Sequence, residues 1–180
     1  TYKPDRSICF VVTYPKLREV FAADFRDRIV HHLLVSTLEP YFEKSFIYAS
    51  FACRKMKGLQ LAITYTQKMI RSATKNNTIT AYYGQFDIRS FFASIDKEIL
   101  KKIIIRYIMR NFPIKKQADL IWLTQIIINH NPTKNFYFKG DQALLKQIPP
   151  HKTLFNAGKD KGLPIGNLTS QFFANVYLNE

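Results

Sequence analysis

Apolar and polar positions along the chain change period several times, and each change marks an element. Across residues 8–23 Cys9 and Val11 precede a break at Tyr14-Pro15-Lys16, and Val20 and Phe21 follow it, predicting two short strands. From Asp24 the repeat lengthens. Ile29, Val30, Leu33, Leu34 and Leu38 recur at helical spacing, with Asp24 or Asp27 favouring the positive N-terminal end and Pro40 bending or ending the helix. Residues 46–53 read as a loop or short strand. A second helix is expected over 58–70, with Leu59, Ala62, Tyr65 and Met69 on one side. Lys75-Asn76-Asn77-Thr78 is a turn, and the β-rich run 79–88 reads as a strand. Residues 97–112 form a helix with Leu100, Ile104 and Ile108 on one stripe, and 116–129 another. Polar, Pro- and Gly-containing 131–150 is a long loop or hairpin. Gly162-Leu163-Pro164-Ile165-Gly166 turns into a last helix from about Leu168. Without internal repeats, the mixture predicts an α+β fold.

Composition narrows the function classes. A hydrophobic fraction of 47% over 180 residues excludes a disordered or low-complexity chain. The 27 Lys+Arg against 13 Asp+Glu give a net charge of +14, a surplus that calls for an anionic partner, nucleic acid first. Two cysteines, Cys9 and Cys53, are too few for a disulfide scaffold and point to a reducing compartment. No apolar run reaches membrane-spanning length and no signal peptide is recognised, so no membrane partner is expected. The chain starts at Thr1 and stops at Glu180 within what reads as a continuing helix, the expectation for a piece of a longer protein.

Four segments carry chemistry. In Phe86-Asp87-Ile88-Arg89-Ser90-Phe91-Phe92, a carboxylate ends an apolar run just before two aromatics and a helix start. A rigid strand-end Asp suits a Mg²⁺ that bridges phosphates; a helix cap or turn uses the same residue type. In Lys161 to Gln171, two glycines and a proline let backbone lie close to a ligand ahead of a helix N-terminus, or make a plain turn with Thr169 or Ser170 near the cap. Lys16 and Arg18 on the first hairpin suit a triphosphate, Arg bidentately and Lys as a point charge, although solvated basic residues are the default. Arg54, Lys55 and Lys57, interleaved with Ser50 and Phe51, suit a template backbone and its bases.

The order of these segments resembles that in reverse transcriptases, from about Lys16 to Glu180. Asp87-Ile88-x-x-Phe91-Phe92 is fairly specific, and Gly162-Leu-Pro-Ile-Gly-Asn-Leu-Thr-Ser-Gln171 highly so. Ile165-Gly166 and Ser170-Gln171 stand where group II intron and retron enzymes tend to carry Gln-Gly or Thr-Gly and Ser-Pro. That variant is similar to the enzymes of diversity-generating retroelements, which copy a template-repeat RNA with errors opposite adenine, usually with a small basic accessory protein. The resemblance implies a right-hand polymerase: fingers over 1–80, a palm strand and helix start over 81–98, a helical and loop region over 99–160, and a palm turn and helix over 161–180. A group II intron-like or retron enzyme is the alternative subclass, and a non-catalytic RNA-binding scaffold the alternative class.

Carried onto this sequence, the resemblance makes Asp87 the catalytic, metal-binding carboxylate and the Ile88 carbonyl a further ligand, with Mg²⁺ the expected ion and Mn²⁺ its substitute. Lys16, Arg18, Phe92, Ile165 and Gly166 would bind the dNTP, Phe92 as the gate against a 2′-OH and Ile165 as the position tied to loose fidelity. Arg54, Lys55, Lys57, Asn167, Ser170 and Gln171 would face RNA template and DNA primer or cDNA. The implied setting is the cytoplasm of a bacterium, or a phage-encoded protein there. The family's Tyr-x-Asp-Asp hairpin does not occur in these 180 residues, and neither does a thumb, so the chain alone is expected to be inactive. His31, His32, His130 and His151 lack zinc spacing and read as core-edge or surface residues. Cys53 reads as a small buried thiol, Trp122 as packing, the Ile103–Ile105 and Ile126–Ile128 runs as core or docking surface, and Glu19 and Asp24 as partners of neighbouring arginines.

Overall fold

A computed structural model describes residues 1–180. It is α+β: seven helices and one small mixed sheet. Strands β1 (Ser7–Val12) and β2 (Arg18–Ala22) form the expected hairpin, antiparallel with Cys9 opposite Phe21 and Val11 opposite Glu19. Alternation puts Ser7, Cys9, Glu19 and Phe21 on the buried face. The third strand comes from the region read as a loop or hairpin. β3 (Phe136–Phe138) runs parallel to β1, on the side away from β2, because the long helical excursion between them brings the chain back in the same direction. Phe21, Phe136 and Phe155 meet there with ring centroids 5.4–5.9 Å apart.

Helix α1 (Phe25–Phe42) starts at Asp24, whose carboxylate accepts from the Arg26 amide. Pro40 lies inside it and the helix ends two residues later. Its buried stripe is Asp27, His31, Leu34, Val35, Leu38 and Phe42, rotated from the one expected, leaving Ile29 and Leu33 more than half exposed. Helix α2 (Leu59–Ala73) forms as expected but buries no residue. After it, Lys75, Asn76 and Asn77 all adopt the left-handed region.

Residues 79–88 correct the sequence reading: they form no strand and are exposed throughout. A strand is held by ladder hydrogen bonds to a neighbour, and this run pairs with none of the three strands. After the four-residue α3 (Phe91–Ser94), helix α4 (Lys97–Asn111) is capped by Asp96, which accepts from the Glu98 and Ile99 amides. Leu100, Ile104 and Ile108 are all fully buried, as their spacing requires. α5 (Ile114–Asn129) buries Ile127 and Ile128, while Trp122 is 44% exposed rather than packed. A short helix, α6 (Ala143–Lys146), precedes the final helix α7 (Leu168–Leu178). The main core joins α1, α4, α5 and α7, with Phe42 stacked on Tyr107 at 3.9 Å and edge-on to Phe172 at 5.4 Å. No helix is long and apolar enough to cross a membrane.

Two glycines decide how the last quarter of the chain meets the rest. Gly162 (φ +85°) donates to the Ile95 carbonyl, and Leu163 to the Phe92 carbonyl. Three residues beyond Gly162, Phe21 donates to the Ile165 carbonyl at 2.8 Å, and the Ala23 amide donates to Asn167 Oδ1 at 3.0 Å. A Cβ on Gly166 (φ +120°) would stand 2.6 Å from Val20 Cγ1 and 3.1 Å from the Phe21 carbonyl oxygen. Gly166→Ala therefore combines backbone strain with overpacking and should lower stability by about 2–4 kcal/mol. Gly158→Ala, whose Cβ meets only ordinary contacts, should stay within about 0.5 kcal/mol of wild type. Urea midpoints check the pair, and equal midpoints would contradict this packing.

A buried polar layer separates α1 from the 163–170 segment. Asp27 accepts from Tyr2 Oη (2.9 Å) and the Asp5 amide (2.7 Å), and His31 Nδ1 lies 3.4 Å from Thr169 Oγ1. His31 is thus buried, not at the core edge. Burial lowers its pKa to about 4, opposed by Asp27 and helped by His130 and His32. The folded chain holds His31 neutral, so this stability is present above pH 6.5 and lost as pH falls through 4. His31 should contribute about 2–3 kcal/mol to the loss in urea stability between pH 7 and 4.5, so His31→Gln should lose less than wild type by that amount, while His130, also lowered by burial, contributes in both; equal losses in both proteins would contradict the assignment.

Candidate functional site

Five of the residues singled out in the sequence line one cleft. Lys16, Arg18, Asp87, Phe92 and Ile165 border an open cavity of about 240 Å³ together with Leu17, Ser90, Phe91, Ala93 and Lys152. They come from the β1–β2 hairpin, the segment around α3, the connection after α6 and the turn before α7, up to 149 residues apart in sequence. The clasp of residues 162–167 explains the convergence: it holds Ile165 against β2 on one side while Leu163 is tied to Phe92 on the other.

The cleft is cationic. Lys16, Arg18 and Lys152 face a single carboxylate, Asp87. Its volume is below the roughly 300 Å³ at which ligands become enclosed, so it takes part of a molecule and leaves the rest at the surface. Phe92 is half-buried, edge-on to Phe91 at 5.7 Å, and so fixed in position by packing as well as lining the cavity. Ser90 sits in the left-handed region (φ 54°), and its buried hydroxyl has no hydrogen-bond partner. Neither Ser90 nor Lys152 was singled out from the sequence. Ser90 carries no sequence signal for φ above zero, and Lys152 reaches the cleft only through the tertiary path of its loop.

Asp87 stands at the end of an exposed irregular run, not of a strand, and Ile88 is 52% exposed outside the cleft lining. The donor set suits a hard cation in part. Asp87 supplies one carboxylate, the Ile88 carbonyl and Ser90 hydroxyl are its neighbours in sequence, and no group of three or more His, Cys, Asp or Glu gathers anywhere in the chain. Mg²⁺ commonly uses one or two carboxylates and takes its remaining ligands from water and substrate phosphates, which this set accommodates.

The other residues named from sequence lie elsewhere. Arg54 is built into its own loop: it bonds Glu43 through Nε and Nη2 (2.7–3.1 Å) and the Ile47 and Ser50 carbonyls through Nη1. Its side chain is 4% exposed and stacks 4.8 Å from the Phe46 ring. Lys55 pairs with Glu39 at 2.6 Å. Lys57 donates to the Tyr48 carbonyl and sits 3.6 Å from the Tyr48 ring centre. Asn167 and Ser170 are buried, so their side chains face the interior; Asn167 is the N-cap residue of α7, yet its oxygen serves Ala23. Gly166 lies against β2 and Gln171 is exposed.

Glu19 has no arginine partner. It is buried, accepts from Thr153 Oγ1 (2.6 Å) and the Leu154 amide, and so fastens the connection carrying Lys152 to β2. Burial raises its pKa, and the two hydrogen bonds oppose that rise. Burial, with the Glu19 charge second, pushes the Cys9 thiol up to about 12. Cys53 is exposed, because its loop turns outward with φ 52°. Compared with models of known protein families the chain matches none, and no curated protein matches it.

Arg54→Ala should cost about 3 kcal/mol, because Glu43 and two carbonyls lose their shared partner. Lys16→Ala and Arg18→Ala, at exposed positions, should each fall within about 0.5 kcal/mol of wild type. Thermal or urea unfolding checks all three; a neutral Arg54→Ala would return that side chain to the surface.

Proposed function

We propose that the chain is the fingers and part of the palm of an RNA-directed DNA polymerase of the diversity-generating retroelement kind. The observation that carries this reading is the convergence of Lys16, Arg18, Asp87, Phe92 and Ile165 on one cleft. The resemblance gives Lys16, Arg18, Phe92 and Ile165 roles at an incoming dNTP and Asp87 the metal; Gly166, given the same dNTP role, lies outside the cleft lining. The corresponding division is fingers over 1–80, palm over 81–98 and 161–180, and a helical and loop region between.

In this reading Lys16, Arg18 and Lys152 neutralise the triphosphate, Arg18 through its two-pronged guanidinium and the lysines as point charges. Phe92 lies beneath the sugar and leaves no room for a 2′-OH. Ile165 bounds the nascent base pair with an apolar surface that makes no hydrogen bond to a base. Mg²⁺, held by Asp87 and the Ile88 carbonyl, would lower the pKa of the primer 3′-OH and neutralise charge on the phosphates. RNA template, DNA primer and a small basic accessory protein are the partners this reading assigns. Two-metal transfer needs more carboxylates than the one in this cleft, so the 180 residues alone should extend no primer.

A non-catalytic RNA-binding scaffold is the second reading, favoured by that same lone carboxylate. Primer extension on an RNA template separates the two, using a longer protein that contains this chain and a Tyr-x-Asp-Asp segment. Asp87→Asn should abolish extension while RNA binding persists, and Phe92→Ala should admit ribonucleotides. Errors concentrated opposite adenine mark the retroelement subclass. Wild-type protein that binds RNA but extends nothing would establish the scaffold.

A further inference from the structure

A second cationic cavity lies apart from the Asp87 cleft and shares no lining residue with it. It is an open groove of about 490 Å³ between the start of α4, the end of α5 and the 154–161 connection. Lys97, Lys101, Lys134, Lys159 and Lys161 line it against two carboxylates, Glu98 and Asp160. Lys101 is already engaged, by Glu98 at 2.6 Å and Asn129 Oδ1 at 3.0 Å.

Lys97 is the unusual member. It is 8% exposed, and its ammonium has one long contact, 3.5 Å to the His130 carbonyl. An ammonium has three donors and a large desolvation cost, so a buried one with a single weak acceptor is under-partnered. The fold nevertheless fixes it. Its backbone amide donates to the Asp160 carbonyl at 2.9 Å, and Asp96 bridges to Lys161 beside it. An oxyanion in the groove would supply the missing acceptors.

We infer that this groove binds a nucleic-acid phosphodiester backbone, as a track separate from the Asp87 cleft. Five lysines line one open groove of about 490 Å³, more cationic charge and room than one small anion needs. Its lining holds no aromatic ring on which a base could stack, so it reads backbone and not sequence. The inference does not depend on the Asp87 cleft being catalytic.

The test is fluorescence anisotropy of a labelled oligouridine with the 180-residue chain across a salt series. Two triple variants are compared with wild type. One is Lys134→Ala/Lys159→Ala/Lys161→Ala in the groove. The other, Lys102→Ala/Lys115→Ala/Lys116→Ala, removes equal charge elsewhere on α4 and α5. All six positions are exposed, so both variants should fold. The groove variant should bind about 100-fold more weakly at 0.1 M salt, with the slope of log affinity on log salt reduced by about 2. The control should keep most of both. Unchanged binding by the groove variant, or an equal loss in the control, overturns the track. Inorganic phosphate at constant ionic strength should leave RNA bound; displacement at millimolar phosphate would make this a small-anion site and also overturn it.

Discussion

The arrangement depends on a six-residue segment held on both sides. Residues 162–167 give amides to Phe92 and Ile95 and accept amides from Phe21 and Ala23, so one stretch of backbone stitches the start of α3 and α4 to the N-terminal hairpin. Only glycine at 166 permits the approach to β2, since any Cβ would enter Val20 and the Phe21 carbonyl. Without the stitch, the hairpin carrying Lys16 and Arg18 would have no fixed relation to Asp87 and Phe92. Glu19 adds a second fastening by holding the 153–154 backbone against the same strand.

Where local pattern and burial coincide, the structure was legible in the residues. Leu100, Ile104 and Ile108 are buried because nothing competes with their stripe, and the Tyr14-Pro15-Lys16 break separates two strands. Helix α1 shows the limit. Ile29 and Leu33 are as apolar as Leu34, yet the buried face turns toward Asp27 and His31, whose hydrogen bonds to the N-terminal residues and Thr169 become visible only after folding. Residues 79–88 have strand composition but pair with no strand, and composition cannot say whether a partner strand exists. In the cleft, Lys16, Arg18 and Asp87 stood out by residue type and Phe92 and Ile165 only through the resemblance, whereas Lys152 depends on a path that no local signal encodes.

Net charge also divides in a way the sequence does not reveal. Arg54, Lys55 and Lys57 look like an exposed basic loop, but Glu43, Glu39, backbone carbonyls and the Tyr48 and Phe51 rings take up their donors and faces. Internal pairing of that kind organises the loop at little cost, since each cation keeps a polar or aromatic partner. Three further cations line the Asp87 cleft and five the lysine groove at α4.

In the proposed function the cleft receives the triphosphate and sugar of a nucleotide. Backbone amide NMR of the 180-residue chain, titrated with a dNTP and Mg²⁺, tests it directly. Shifts should be confined to Lys16–Arg18, Asp87–Ala93, Lys152 and Ile165, and should weaken when a ribonucleotide replaces the dNTP. Shifts centred on Lys97 and Lys159–Lys161, or none within the cleft at saturating nucleotide, would contradict it.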